Sequence, residues 1–194
     1  MLINLEGIDG CGKSTQSQFL MDKFESDSEK TILLKEPTNG KYGQKLWEML
    51  SGKIEATTEE ILELFVLDRK EHVNQKIKPA LDDGMIVLMD RYYYSTMAYQ
   101  AAAGIDVDRI RRDNEFAPKP DIVLIFDLPA DLAMKRVRSH SVADVFEKEE
   151  HLEKVRKAYL NLEDDSLVQI IDATRTPEVI FDEVWRLVSE VRNG

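Results

Sequence analysis

The chain has 194 residues, 43% of them apolar and 8% aromatic, which suits one domain around one buried core and leaves little room for a second. Charged residues make up 32% and the mean hydropathy is -0.36, which excludes a membrane-embedded protein. With 26 Lys and Arg against 37 Asp and Glu, the formal charge of -11 argues against non-specific grip on nucleic acid, so any anionic ligand must be held by local basic groups.

Along the chain, five apolar runs read as short strands, over residues 2–5, 31–34, 85–89, 122–126 and 167–171. Most lack apolar/polar alternation, the pattern of strands covered on both faces, and the intervals between them accommodate helical crossovers. Apolar residues at helical spacing run over 13–24, 58–81, 130–138, 148–162 and 178–191, with Thr58 and Thr176-Pro177 as start signals. The expected fold class is α/β, a P-loop three-layer α/β/α sandwich with a five-stranded parallel sheet, forming one domain over 1–194. Residues 139–150 are polar, charged and weakly periodic; they read either as a mobile cover or as a surface loop running into a helix start. The single cysteine, Cys11, cannot form an internal disulfide, and Met1 runs straight into the first strand without a leader, so the cytoplasm is the expected compartment.

Between the first strand and the first helix stands Gly7-Ile8-Asp9-Gly10-Cys11-Gly12-Lys13-Ser14-Thr15, which fits G-x-x-x-x-G-K-[ST] in the required context. Glycines let the backbone curl so that consecutive N–H groups meet phosphate oxygens, and the helix adds its positive end. Lys13 is placed to span the β- and γ-phosphates of ATP, and the Ser14 hydroxyl to ligate Mg²⁺. Cys11, near a helix N-terminus, invites a redox-switch reading, but a small residue that fits a tight loop is enough to explain it.

Other residues narrow the class. The chain has no Asn-Lys-x-Asp motif of a GTPase and no Leu-Ser-Gly-Gly-Gln stretch of a transporter ATPase. Instead Glu36-Pro37-Thr38 follows the second strand and Asp90-Arg91-Tyr92 the third. Ligands collect at the carboxyl ends of parallel strands, so both groups should face the crevice of the phosphate loop. Asp90 there can hold a metal-bound water and Arg91 can fork onto a second phosphate, which implies a second substrate. Phe65 and Arg69 are four apart and share a helix face, which suits an aromatic platform beside a hydrogen-bonding fork; taken alone, Phe65 reads more readily as core. Tyr99 lies at helical spacing from Ser95 and Thr96.

These motifs, with Lys35-Glu36-Pro37-Thr38, Leu64-Phe65-Val66-Leu67-Asp68-Arg69 and Ser95-Thr96-Met97-Ala98-Tyr99-Gln100, resemble thymidylate (dTMP) kinases of the nucleoside-monophosphate kinase superfamily nearly end to end. The resemblance implies ATP-dependent phosphorylation of dTMP to dTDP, with dTMP and ATP as ligands, Mg²⁺ as cofactor and a homodimer in which the long helix takes part. It implies that Phe65 stacks on thymine, Arg69 bonds its edge, Asp9 reaches the 3′-hydroxyl, and Arg91 binds the acceptor phosphate. It implies too that Tyr99 closes the space of a ribose 2′-hydroxyl while Ser95, Thr96 and Gln100, with Glu36 nearby, line the pocket. The turn at Asp172-Ala173-Thr174-Arg175 would border adenine.

In such enzymes whose phosphate loop lacks an arginine, a lid supplies the basic groups, here around 135–150. Arg136 and Arg138 are the candidates, with Lys135 next; a solvated basic helix end is the plainer reading of the same residues. Two positions depart from the resemblance: Trp47 where an acceptor-phosphate arginine is common, and Asp144-Val145 where Asp-Arg is common. Lys35, Lys45 or Lys53 could replace the missing contact. The competing readings are a kinase for another deoxynucleotide or a deoxynucleoside, and a nucleotide-binding regulator that transfers nothing.

Overall fold

The computed structural model describes residues 1–136 and 142–193, and over 142–148 the backbone alone. Strands β1 (Leu2–Glu6), β2 (Thr31–Lys35), β3 (Ile86–Asp90), β4 (Ile122–Asp127) and β5 (Val168–Asp172) form one parallel sheet in the order β2-β3-β1-β4-β5. Each begins or ends within a residue of the apolar run that announced it. The unbroken apolar runs have the expected cause. Leu2, Val87 and Met89 pack on one side with Val73 and Ile77, while Ile3, Leu5 and Leu88 share the other cluster with Leu20, Phe24, Ile180 and Val184. Helices therefore cover both faces, completing three layers.

The helices in chain order are α1 (Lys13–Ser26), α2 (Lys41–Leu50), α3 (Thr58–His72), α4 (Lys78–Asp82), α5 (Tyr93–Ala102), α6 (Val107–Asp113), α7 (Ala130–Arg136), α8 (Val142–Leu160) and α9 (Pro177–Asn193). A π-helical turn, Val73–Ile77, joins α3 to α4, so the long helix expected over 58–81 exists with one widened turn. Its cap is Thr57 rather than Thr58: Thr57 Oγ1 accepts from Glu60 N while Glu60 Oε2 accepts from Thr57 N, a reciprocal capping box. Helix α8 starts at Val142, so from there the polar segment 139–150 is helical; residues 137–141 lie outside the described residues.

All five strands end on a charged residue at the same edge, namely Glu6, Lys35, Asp90, Asp127 and Asp172. The parallel register sets Lys35 and Leu5 level with Asp90, and Asp127 level with Asp172. Apolar side chains fix each strand in the sheet, and the charge at its carboxyl end is then delivered to one crevice.

Candidate active site

The donor side is the loop from Gly7 to α1. Gly7 has φ +133°, and a Cβ there would lie 2.7 Å from the Phe126 carbonyl oxygen and 2.8 Å from Cys11 Sγ, so only glycine passes. Cys11 is buried against that turn, as a small packing residue would be. Helix α1 has no side-chain cap at Gly12, so its first N–H groups are available to an anion. Lys13 Nζ donates to the carbonyls of Gly7 at 2.9 Å and Ile8 at 3.1 Å, folding its charge over the loop. Ser14 is exposed beside it.

On the other side, Arg91 follows β3 with φ 71°. Its Nη2 donates to Asp9 Oδ1 at 2.6 Å and lies 3.4 Å from the Tyr99 hydroxyl; Nη1 donates to Ser95 Oγ at 3.2 Å. The Tyr99 ring lies 5.3 Å from the guanidinium carbon, within cation–π range. Burial pushes the Asp9 carboxyl up, but the charges of Arg91, Lys13 and Lys35 outweigh it and hold it below the usual carboxylate range. Asp9, Arg91, Ser95 and Tyr99 are thus one cluster.

Behind Arg91 stands Glu6, fully buried at the end of β1. Its Oε1 accepts from the backbone N–H of Tyr92 at 2.8 Å and of Ser95 at 3.2 Å, capping α5 from a different strand. Its Oε2 accepts from Tyr159 Oη at 2.9 Å and from Ser95 Oγ. Tyr159, on α8, also lies 3.4 Å from Arg91 Nη1. The available signal was a carboxylate ending an apolar strand, the same signal that singled out Asp90; nothing local marked Tyr159.

Arg69 is 1% exposed. Its Nε and Nη2 hold Glu36 Oε2 at 2.8 Å and 2.7 Å, Nη1 holds Asn114 Oδ1 at 2.6 Å, and Nη2 reaches Thr96 Oγ1 at 3.2 Å. His72 Nδ1 meets Glu36 Oε1 at 3.1 Å. Glu36, Arg69 and Thr96 therefore come together as foreseen, but as a buried wall, with Asn114 an unforeseen member. Phe65, one turn earlier on α3, is half-buried. Gln100 is buried, and among the described residues its Oε1 has no hydrogen-bond partner.

Arg136, the last residue of α7, lays Nη1 3.4 Å from the Gly10 carbonyl and Nη2 3.3 Å from the Ala173 carbonyl. It thereby bridges the phosphate loop and the turn after β5. Lys135 pairs instead with Asp131 at 3.0 Å, on the exposed side of α7. Arg138 lies outside the described residues, and of the Asp144 and Val145 side chains nothing is described.

Among the described residues no three His, Cys, Asp or Glu side chains gather as a metal cage. A divalent ion bound mainly by phosphate oxygens needs fewer protein ligands, and Asp90 offers one. Asp90 is buried; among the described residues its Oδ1 has no hydrogen-bond partner, and its Oδ2 lies 3.5 Å from Lys35 Nζ. An orphaned buried carboxylate oxygen at the carboxyl end of β3, with the exposed Ser14 hydroxyl at the start of α1, fits such an ion.

Residues 5–184 match the thymidylate kinase family. A probable thymidylate kinase of Archaeoglobus fulgidus is 40% identical over 194 residues, spanning 100% of this chain and 97% of its own. A thymidylate kinase of Desulfotalea psychrophila is 46% identical over 163 residues, 83% of this chain and 81% of its own. One of Xylella fastidiosa strain Temecula1 is 38% identical over 193 residues, 98% of this chain and 91% of its own. No helix among the described residues is long and apolar enough to cross a membrane.

Proposed function

The chain belongs to the thymidylate kinase family, and from that premise we propose that it transfers the γ-phosphoryl group of ATP to the 5′-phosphate of dTMP, releasing dTDP and ADP. The observation that carries the reading is the direction of Arg91, whose guanidinium turns toward Asp9 of the phosphate loop. A grip for one phosphate and a cradle for another then open on the same cleft.

The chemistry follows from that arrangement. The loop N–H groups and Lys13 hold the donor phosphates, Lys13 exchanging its loop carbonyls for the β- and γ-oxygens. Arg91 orients the acceptor phosphate so that one of its oxygens lies in line with the γ-phosphorus; that P–O bond forms as the bond to the β,γ-bridging oxygen breaks. Arg136 offers positive charge beside Gly10 as the phosphoryl moves. Asp9 can reach a 3′-hydroxyl, while Tyr99, Ser95, Thr96 and Gln100 shape the deoxynucleoside end with Phe65 as aromatic floor. Arg69 and Glu36 set the far wall.

Mg²⁺ would be held by Ser14 and, directly or through water, by Asp90; when bound it neutralises charge on the β- and γ-oxygens. In this reading 1–194 is one kinase domain whose closing segment spans 135–150. A second copy is proposed to pack where α2, α3 and the loop between them expose Trp47, Leu50, Ile54 and Leu67. A single cysteine suits a reducing compartment, and we place the protein in the cytoplasm.

The test is a coupled ADP-release assay over dTMP, dUMP, dCMP, dAMP and thymidine. Release should depend on acceptor and be fastest with dTMP; release without an acceptor, or stimulation by another acceptor alone, would overturn the reading.

A further inference from the structure

Arg91 by itself is a weak clamp for a phosphate monoester. Its guanidinium is already paired with Asp9 at 2.6 Å, whereas a monoester carries roughly 1.5 to 2 negative charges at neutral pH. Helix α2 supplies no second cation toward the cleft. On that helix Trp47 is half-exposed, Lys41 Nζ lies 4.5 Å from the centre of the Tyr42 ring, and the charge of Lys45 acts on Glu60 at the start of α3.

Lys35 is placed differently. It closes β2 level with Asp90 in the parallel register, and its Nζ is 3.5 Å from Asp90 Oδ2. The side chain is 57% exposed, against 9% for Asp90, so the ammonium reaches from solvent onto a carboxylate at the carboxyl edge of the sheet. Its charge is also felt by Asp9, the carboxylate that Arg91 touches.

We propose that Lys35 is the second cationic contact of the acceptor phosphate, working beside Arg91, and so a residue that selects an acceptor carrying a phosphate. This assignment rests on reading the cleft as the dTMP site. An ammonium with three donors on a flexible four-carbon stem can leave Asp90 for an incoming phosphate without backbone change. The transfer also frees Asp90 Oδ2 when the phosphates arrive.

Equilibrium binding without ATP tests it, with dTMP and thymidine titrated into wild type, Lys35→Ala, Lys35→Gln, Lys35→Arg and Lys45→Ala. Loss of a charge-assisted contact should weaken dTMP about tenfold or more in the Ala and Gln variants, while thymidine changes less than about twofold. Lys35→Arg should retain most dTMP affinity, and the salt dependence of dTMP binding should flatten in the Ala and Gln variants. Unchanged dTMP affinity in Lys35→Ala, an equal loss for thymidine, or a loss seen only in Lys45→Ala would overturn the assignment. The reading of the cleft itself would fail separately, through wild type binding dTMP no better than thymidine.

Discussion

Arg91 Nη2 sits 2.6 Å from Asp9 Oδ1, so one charged pair ties the turn after β3 to the phosphate loop after β1. Arg91 pays for this with φ 71°, a region L residues rarely adopt. The turn is held there by the two backbone N–H groups that donate to Glu6.

Arg91→Ala should therefore act on the acceptor rather than on ATP. With the acceptor bound, Arg91 pairs with its phosphate, and truncating one partner of such a desolvated charge pair costs about 2–5 kcal/mol, so kcat/KM for dTMP should fall about 10²-fold or more, while the KM for ATP stays within about threefold. Steady-state kinetics with each substrate varied in turn gives the comparison.

Arg136→Ala should show the opposite split. Its guanidinium touches the loop carbonyl of Gly10 and not the acceptor cluster, so turnover should drop at least about 10²-fold with little change in dTMP binding. Near-wild-type turnover would remove Arg136 from the transfer step.

Gly43→Ala should loosen the acceptor wall from outside. A Cβ at Gly43 would lie 2.0 Å from the Thr38 carbonyl oxygen. Thr38 cannot yield freely, because Asp68 accepts from its N–H at 2.8 Å and from its hydroxyl at 2.6 Å. Helix α2 must move instead, at a cost of about 1–3 kcal/mol. Urea unfolding should report that loss, and the KM for dTMP should rise with it.

The strands were legible because burial on both faces leaves little but apolar residues between the turns, and the phosphate loop because its spacing is local. Helix α2 was not among the segments read as helical, although Leu46, Met49 and Leu50 stand at three-to-four spacing along it; at ten residues it is short, and only Gly43 and Leu46 are buried. Arg69 was recognisable as a fork, but not as one already engaged by three protein side chains. Its partners Glu36, Thr96 and Asn114 lie 33, 27 and 45 residues away, and no local pattern encodes such pairings. For the same reason Tyr159, 153 residues from Glu6, was invisible.

Glu6 gives a pH signature. Burial pushes its carboxyl above the ordinary 4.5, against the hydrogen bond from Ser95 and the charge of Arg91. A carboxyl raised in the native state contributes stability fully below 4.5 and loses it as pH rises through the native value, because the folded chain then binds more protons than the unfolded one. Glu6→Gln lacks that loss. Its stability relative to wild type should be better at pH 7 than at pH 4.5, as read by urea unfolding at both; a difference that stays flat would contradict the raised carboxyl.

That donor cradle and acceptor grip share one cleft is tested most directly by titrating a single molecule that joins adenosine and thymidine 5′ to 5′ through a polyphosphate. Binding one per chain, at least about tenfold tighter than ATP or dTMP alone and lost in Arg91→Ala, is the expected result. Affinity no better than that of ATP, unchanged in Arg91→Ala, would contradict it.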